Sequence, residues 1–194
     1  MRSRSPLRSA AAGALVAILA ATVLAADQLA KAAAIAGLPP ERVVPILGDF
    51  LQFYLVRNPG AAFSLGEGVT WIFTIALAVV AVIILFLAVT RVRSRLWAVV
   101  LGLLLGGVLG NLSDRLLRAP GFPVGHVVDF ISTPWMMPAI YNVADMFIVT
   151  MMISVALLVL LGLRLDGTRE KRGSRDAEVA ADEPVETPGE QGAR

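Results

Sequence analysis

The chain has 194 residues, 57% of them hydrophobic and only 16% charged, and its mean hydropathy is +0.74; that balance excludes an ordinary soluble domain and fits a polytopic membrane protein. It holds no cysteine and one histidine, His126, which removes disulfides, thiolate nucleophiles, thiolate metal centres and multi-histidine zinc sites. The net charge of +2 arises from short basic clusters beside apolar runs, the signature of membrane topology and not of a nucleic-acid surface.

A bilayer core takes roughly 20 residues of apolar helix, and four runs qualify. The first, about 10–30, follows the basic start MRSRSPLR and ends in small residues, as a cleavable signal peptide does. An uncleaved helix is expected, which gives four spans with both termini on one face. Residues 31–68 form an outer segment. Within it DFLQFYLVRN is rich in aromatic and β-branched residues after the Gly48-Asp49 turn signal, which predicts short strands in a small sheet lying on the membrane surface. Spans at 69–90 and 96–117 follow; in the latter Gly102, Gly106 and Gly110 recur every fourth residue, a close helix-packing face. The outer segment 118–141 is predicted as a loop from Ala119 to Pro138, with at most a short helix around Val127 to Ser132, because four prolines and two glycines interrupt it. The last span covers 142–163. The tail 164–194 is charged and lacks aromatic residues, which predicts disorder. Twelve Lys and Arg residues fall on the face carrying both termini and five on the other. Both termini, including residues 1–9, are therefore expected in the cytoplasm.

That topology sends five polar clusters to one depth near the outer surface: Asp27 with Lys31, Asn58, Asn111 with Asp114 and Arg115, Asp129, and Asn142 with Asp145. A charge in or near hydrocarbon is costly and points to function. Asp27/Lys31 and Asn111/Arg115 are spaced i,i+4, Asn111/Asp114 and Asn142/Asp145 i,i+3, so each group shares a helix face. A purely structural role, interhelical hydrogen bonding for Asp27, Lys31 and Asn111 and N-capping for Asn142, competes with a functional one. Asp114 has Arg115 or Lys31 to keep it ionised and suits an anchor. Asp129 in VVDFI and Asp145 in NVADMF have apolar neighbours, and two such groups brought together share a proton, as in an aspartic protease. His126, three residues before Asp129, is within reach of it on a helical turn. A Ser/His site through Ser64, Ser113 or Ser132 lacks a nucleophile-elbow motif. A divalent-cation site on Asp114, Asp129 and Asp145 is disfavoured by Arg115 and by the spacing. No metal and no cofactor is expected.

The blocks DQLAK (27–31), NPGAAFS (58–64), GNLSDR (110–115), VVDF (127–130) and YNVAD (141–145), in this order on a four-span layout, resemble the lipoprotein signal peptidase family, signal peptidase II. The resemblance spans roughly residues 10–163. It implies a mainly α membrane protein, a four-helix bundle with a small extracytoplasmic β-sheet. It also implies an aspartic endopeptidase that cuts the signal peptide from a diacylglyceryl-modified prolipoprotein just before the lipidated Cys. On that pattern Asp129 and Asp145 are the catalytic dyad, and Asn58, Asn111, Asp114, Arg115, Asn142, Asp27 and Lys31 support the site or contact substrate. Implied partners are the prolipoprotein, membrane lipid and globomycin-type cyclic peptides. The chain departs from the pattern at Ala30, Tyr141 and Met146. Rival readings are a proton-conducting protein, which should carry carboxylates at several depths, a structural subunit, and a prepilin-type peptidase, whose chemistry lies on the cytoplasmic side.

Overall fold

The computed structural model describes residues 9–60 and 67–169. Four helices, α1 (Ser9–Gly37), α2 (Thr70–Thr90), α3 (Arg95–Leu117) and α4 (Val143–Leu160), are each long and apolar enough to cross a bilayer. Four strands, β1 (Val43–Leu47), β2 (Leu51–Asn58), β3 (Val127–Thr133) and β4 (Met137–Tyr141), form one antiparallel sheet in the order β1-β2-β3-β4. Both strand pairs are inserted where one helix ends and the next begins, after α1 and after α3, so the sheet sits at one end of the bundle.

Helix α3 is the most buried of the four and packs against the other three. Its glycines make that possible. A Cβ on Gly106 would stand 2.5 Å from Val23 Cβ and 2.8 Å from the Ala20 carbonyl, and one on Gly102 would stand 3.1 Å from Val16 Cα, so α1 lies directly on the α3 backbone. On Gly107 it would meet the Ala144 carbonyl at 2.7 Å, which brings α4 equally close. Lipid tails compete with apolar side chains on equal terms, so helices in a bilayer associate through such close backbone approach and through polar contacts. The Gly102/Gly106/Gly110 repeat is the packing face expected of it. The outer faces of α2 and α4 remain apolar and exposed, with Ile75, Val82, Phe86, Met152 and Ile153 among them.

The sheet is seated by a second apolar cluster, in which Leu55, Val128 and Phe130 pack on Ala34 of α1. This contact explains why α1 runs to Gly37 instead of ending near residue 30: the Ala-rich KAAAIAG stretch propagates the helix, and its buried face supports the strands. Residues 127–133 are a strand, not the short helix expected around Val127 to Ser132. VVDFIST is rich in β-branched residues, and its backbone pairs with β2, with Val56 opposite Asp129 and Asn58 opposite Val127. At the far end of the bundle, residues 164–169 are ordered, against the expectation of disorder from 164. The Leu165 carbonyl accepts from the Arg93 and Ser94 amides at 3.0 and 3.1 Å, and Trp97 Nε1 donates to the Leu163 carbonyl at 3.2 Å. The remaining expectations for the two termini, at 1–8 and 170–194, and for Ser64 fall outside the described residues.

Overpacking a close contact of this kind costs about 1–3 kcal/mol, so Gly106→Ala should lower the thermal midpoint of the detergent-solubilised protein. Gly13→Ala, where a Cβ meets nothing within 4 Å, should leave it unchanged or raise it.

Candidate active site

The polar residues singled out in the sequence meet at the sheet end of the bundle in one connected network. Its base is the Lys31 ammonium, which is without access to water and lies 2.8 Å from both Asp27 Oδ2 and Asp114 Oδ2. A buried charge persists only when paired and hydrogen-bonded. Lys31 completes its set by donating to Asn111 Oδ1 at 3.0 Å. Each carboxylate is satisfied in turn. Asp27 Oδ1 accepts from the Ala144 amide at 2.9 Å, tying α1 to the first turn of α4, where free N–H groups favour an anion. Asp114 Oδ1 accepts from Arg118 Nε at 2.6 Å and from Gln28 Nε2 at 3.1 Å, and its Oδ2 takes the Val128 amide at 3.2 Å, fixing β3 to α3. The partners of Asp114 are thus Lys31 and Arg118. Arg115, the alternative offered by sequence adjacency, is turned away.

Arg115 is an organiser of loops. It is buried, and its Nη1 donates to the carbonyls of Asn58, Pro59 and Gly125 at 3.1, 2.9 and 3.0 Å, while Nη2 donates to Gly60. Gly125 is needed there, because any Cβ would strike the carbonyls of Asp114, Arg115 and Arg118. The buried Arg115 Nε has no partner among the described residues.

Above this base stand the two remaining carboxylates. Asn142 caps α4 in a reciprocal box: the Asp145 amide donates to Asn142 Oδ1 at 3.0 Å, and Asp145 Oδ2 accepts from the Asn142 amide at 3.1 Å. The Asn142 side-chain amide also donates to Asp129 Oδ1 at 2.6 Å and to Asn111 Oδ1 at 3.2 Å. Capping and site-building are therefore not alternatives for Asn142; it does both. Asn58 donates to Asp129 Oδ2 at 2.9 Å, and Asn111 to Asp145 Oδ1 at 2.7 Å. The Asn111 amide is oriented by Lys31: with its oxygen toward the ammonium, its nitrogen must face Asp145.

Asp129, on β3 outside the helices, is raised from the ordinary 3.8 to about 7, first by burial and then by the charge of Asp145; the amides of Asn58 and Asn142 oppose the shift. Both carboxylates line a cavity of about 770 Å³ walled by Phe73 and Leu77 of α2, Met146 and Val149 of α4, Trp135 of the β3–β4 turn and Met137 of β4. Two carboxyl groups bridged by Asn142, with Asp129 raised toward neutrality, opening on an apolar cavity, have the parts needed to activate a water and protonate a leaving group. His126 is set just before a strand and not on a helical turn; among the described residues no hydrogen bond joins its side chain to Asp129. Sequence reasoning passed over Gln28, which also donates to Asp27 Oδ2 and accepts from Arg118 at 3.2 Å, and Arg118; the i,i+4 spacing of Asp114 and Arg118 was the available signal.

Two outcomes follow from these charges. Lys31→Met leaves Asp27 and Asp114 buried without their shared cation, which should cost about 3–5 kcal/mol, read as a drop in the thermal midpoint. For Asp129, the folded state holds its proton more tightly than the unfolded chain. Between about pH 4 and 7 the unfolded state ionises first, so folding stability should fall as pH rises through that window, by at most about 1.4 kcal/mol per unit. Asp129→Asn should flatten that slope in midpoints measured across the same range.

The chain is similar to known proteins over most of its length. Residues 19–163 match the family model described as signal peptidase (SPase) II. A lipoprotein signal peptidase from Leifsonia xyli subsp. xyli is 47% identical over 185 residues, covering 92% of this chain and 85% of the relative. One from Rhodococcus jostii is 49% identical over 157 residues, covering 80% and 77%. Two solved structures, each described as a bacterial membrane enzyme determined by the in meso method, superpose with TM-scores of 0.68 and 0.65 at 25% and 26% identity. They cover 82% and 75% of this chain and 93% and 92% of their own.

Proposed function

The chain belongs to the signal peptidase II family of membrane aspartic peptidases, and from that premise we propose that Asp129 and Asp145 are the dyad with which it removes signal peptides from prolipoproteins. The observation that carries the assignment is Asn142, which holds Asp129 through its side chain at 2.6 Å and Asp145 through its backbone amide at 3.1 Å, at the head of an apolar cavity. Asp129, with a pKa of about 7, retains the shared proton, and Asp145 acts as base. A water between them attacks the scissile carbonyl carbon and gives a proton to Asp145. Asp129 protonates the carbonyl oxygen, and as the tetrahedral intermediate collapses the departing amine takes up a proton from the dyad. Asn58, Asn111, Arg115 and Asn142 hold the two carboxylates and the 58–60 loop in place, and Asp27, Lys31 and Asp114 anchor them from below.

The basic residues cluster at the end of the bundle opposite the sheet, at Arg91, Arg93, Arg95, Arg164 and Arg169, which supports cytoplasmic termini and a site at the extracytoplasmic boundary of the cell membrane. A signal peptide is itself an apolar helix, and its junction with a lipidated Cys lies at that depth. The gap walled by α2 and α4 suits the signal helix and the diacylglyceryl chains of the substrate. A globomycin-type cyclic peptide would occupy the same cavity.

The test is cleavage of a diacylglyceryl-modified precursor in detergent by wild type, Asp129→Asn and Asp145→Asn. Each variant should lose about 10²–10⁴-fold in rate while keeping its fold, and Asp129→Asn should be at least as stable as wild type at neutral pH. Normal rates in both would show the dyad assignment to be wrong.

A further inference from the structure

The two hairpin turns of the sheet carry an apolar surface that the helices do not cover and that reaches beyond the cavity wall to which Trp135 and Met136 contribute. Leu47 and Phe50 of the β1–β2 turn and Trp135 and Met136 of the β3–β4 turn are each more than half exposed. They are fastened together: the Phe50 and Trp135 rings stack with centroids 4.9 Å apart and planes at 11°, and Trp135 Nε1 donates to the Phe50 carbonyl at 2.9 Å. Two turns that are far apart in the chain thus form one rigid, aromatic tip.

The hydrogen bonding of this tip is that of a surface prepared for a medium poor in water. The Trp135 N–H, which normally seeks water at an exposed site, is already used. Both turns close their own backbones, the Phe50 amide on the Leu47 carbonyl at 3.0 Å and the Met136 amide on the Thr133 carbonyl at 2.9 Å. Immersing such groups in lipid leaves fewer donors unpaired. Position agrees. Trp135 and Met136 wall the same cavity as Phe73 and Met146, which lie in the first turns of α2 and α4, so the tip stands at the depth where two spans enter the bilayer. Asp49, beside Phe50 and exposed, limits the depth to the headgroup region, where tryptophan is favoured.

We propose that the Leu47–Phe50 and Trp135–Met136 turns insert as one wedge into the interfacial layer of the outer leaflet, with lipid as the partner of this surface. The wedge overhangs the cavity mouth between α2 and α4 and fixes the height of β3, and hence of Asp129, relative to the lipid. The inference rests on the helices spanning the membrane and not on the dyad, so its test is independent of Asp129→Asn.

Because the chain has no cysteine, Leu47→Cys and Met136→Cys each give a unique site for a nitroxide label, and neither replaces a ring of the stacked pair. In vesicles of phosphatidylcholine and phosphatidylglycerol, both labels should collide with dissolved oxygen severalfold more readily than with a water-soluble nickel chelate, relative to a label at Arg42→Cys at the opposite end of β1. The reverse preference would place the tip in water and overturn the proposal. Shielding from both reagents, with spin–spin broadening that fades as protein is diluted in lipid, would make a second copy the occupant and overturn it equally.

Discussion

The Lys31 ammonium, shut off from water between Asp27 and Asp114, sets the terms on which the helices meet. Three buried charges so close together are tolerable only with every lone pair and proton engaged, and the groups that complete the set come from other elements: Asn111 from α3, the Ala144 amide from α4 and the Val128 amide from β3. The glycines of α3 bring α1 and α4 close enough for this to happen, since Gly110 passes 2.7 Å, measured from a notional Cβ, from Asp27 Oδ2. Packing and charge satisfaction are thus one requirement seen from two sides. The proposed dyad is its upper layer, with Asn111 passing the orientation imposed by Lys31 on to Asp145.

The same construction gives the two acids of the proposed dyad, alike in chemical type, different surroundings. Asp129 arrives on a strand, Asp145 on a helix, and they are held by different amides. Asp129 is enclosed by the sheet and faces the charge of Asp145, which keeps a proton on it near neutrality. The cavity beside them is apolar where the helices wall it and polar where the two layers meet, as the proposed seating of an apolar signal helix up to the bond to be cut would require.

Much of this was legible in the chain because polar residues in apolar runs are expensive and so carry position information. The depth shared by Asp27, Asn111, Asp129 and Asp145, the one-turn spacing of Asp27 and Lys31, and the apolar settings of Asp129 and Asp145 could be read from spacing and charge alone, and motif resemblance pointed to the same pair. What could not be read is non-local. β3 exists because β2, some seventy residues earlier, offers it a partner, while its own flanking prolines and glycines argue for a loop. The role of Arg115 was obscured for a related reason. Successive helical residues diverge by about 100°, so the neighbour of Asp114 in sequence points to the 58–60 loop, and Arg118, a full turn on, is the residue that reaches it. Gln28 resembles a surface residue until the buried groups on either side of it are seen.

Asn142 has a consequence of its own. One residue closes the first turn of α4 and also spans the two carboxylates, so fraying of that helix end would dismantle the proposed dyad in the same event. On the proposed assignment the peptidase is thereby fused against its own loosening: a partly unravelled molecule in the bilayer would lack the acid pair with which to cut a neighbouring chain indiscriminately.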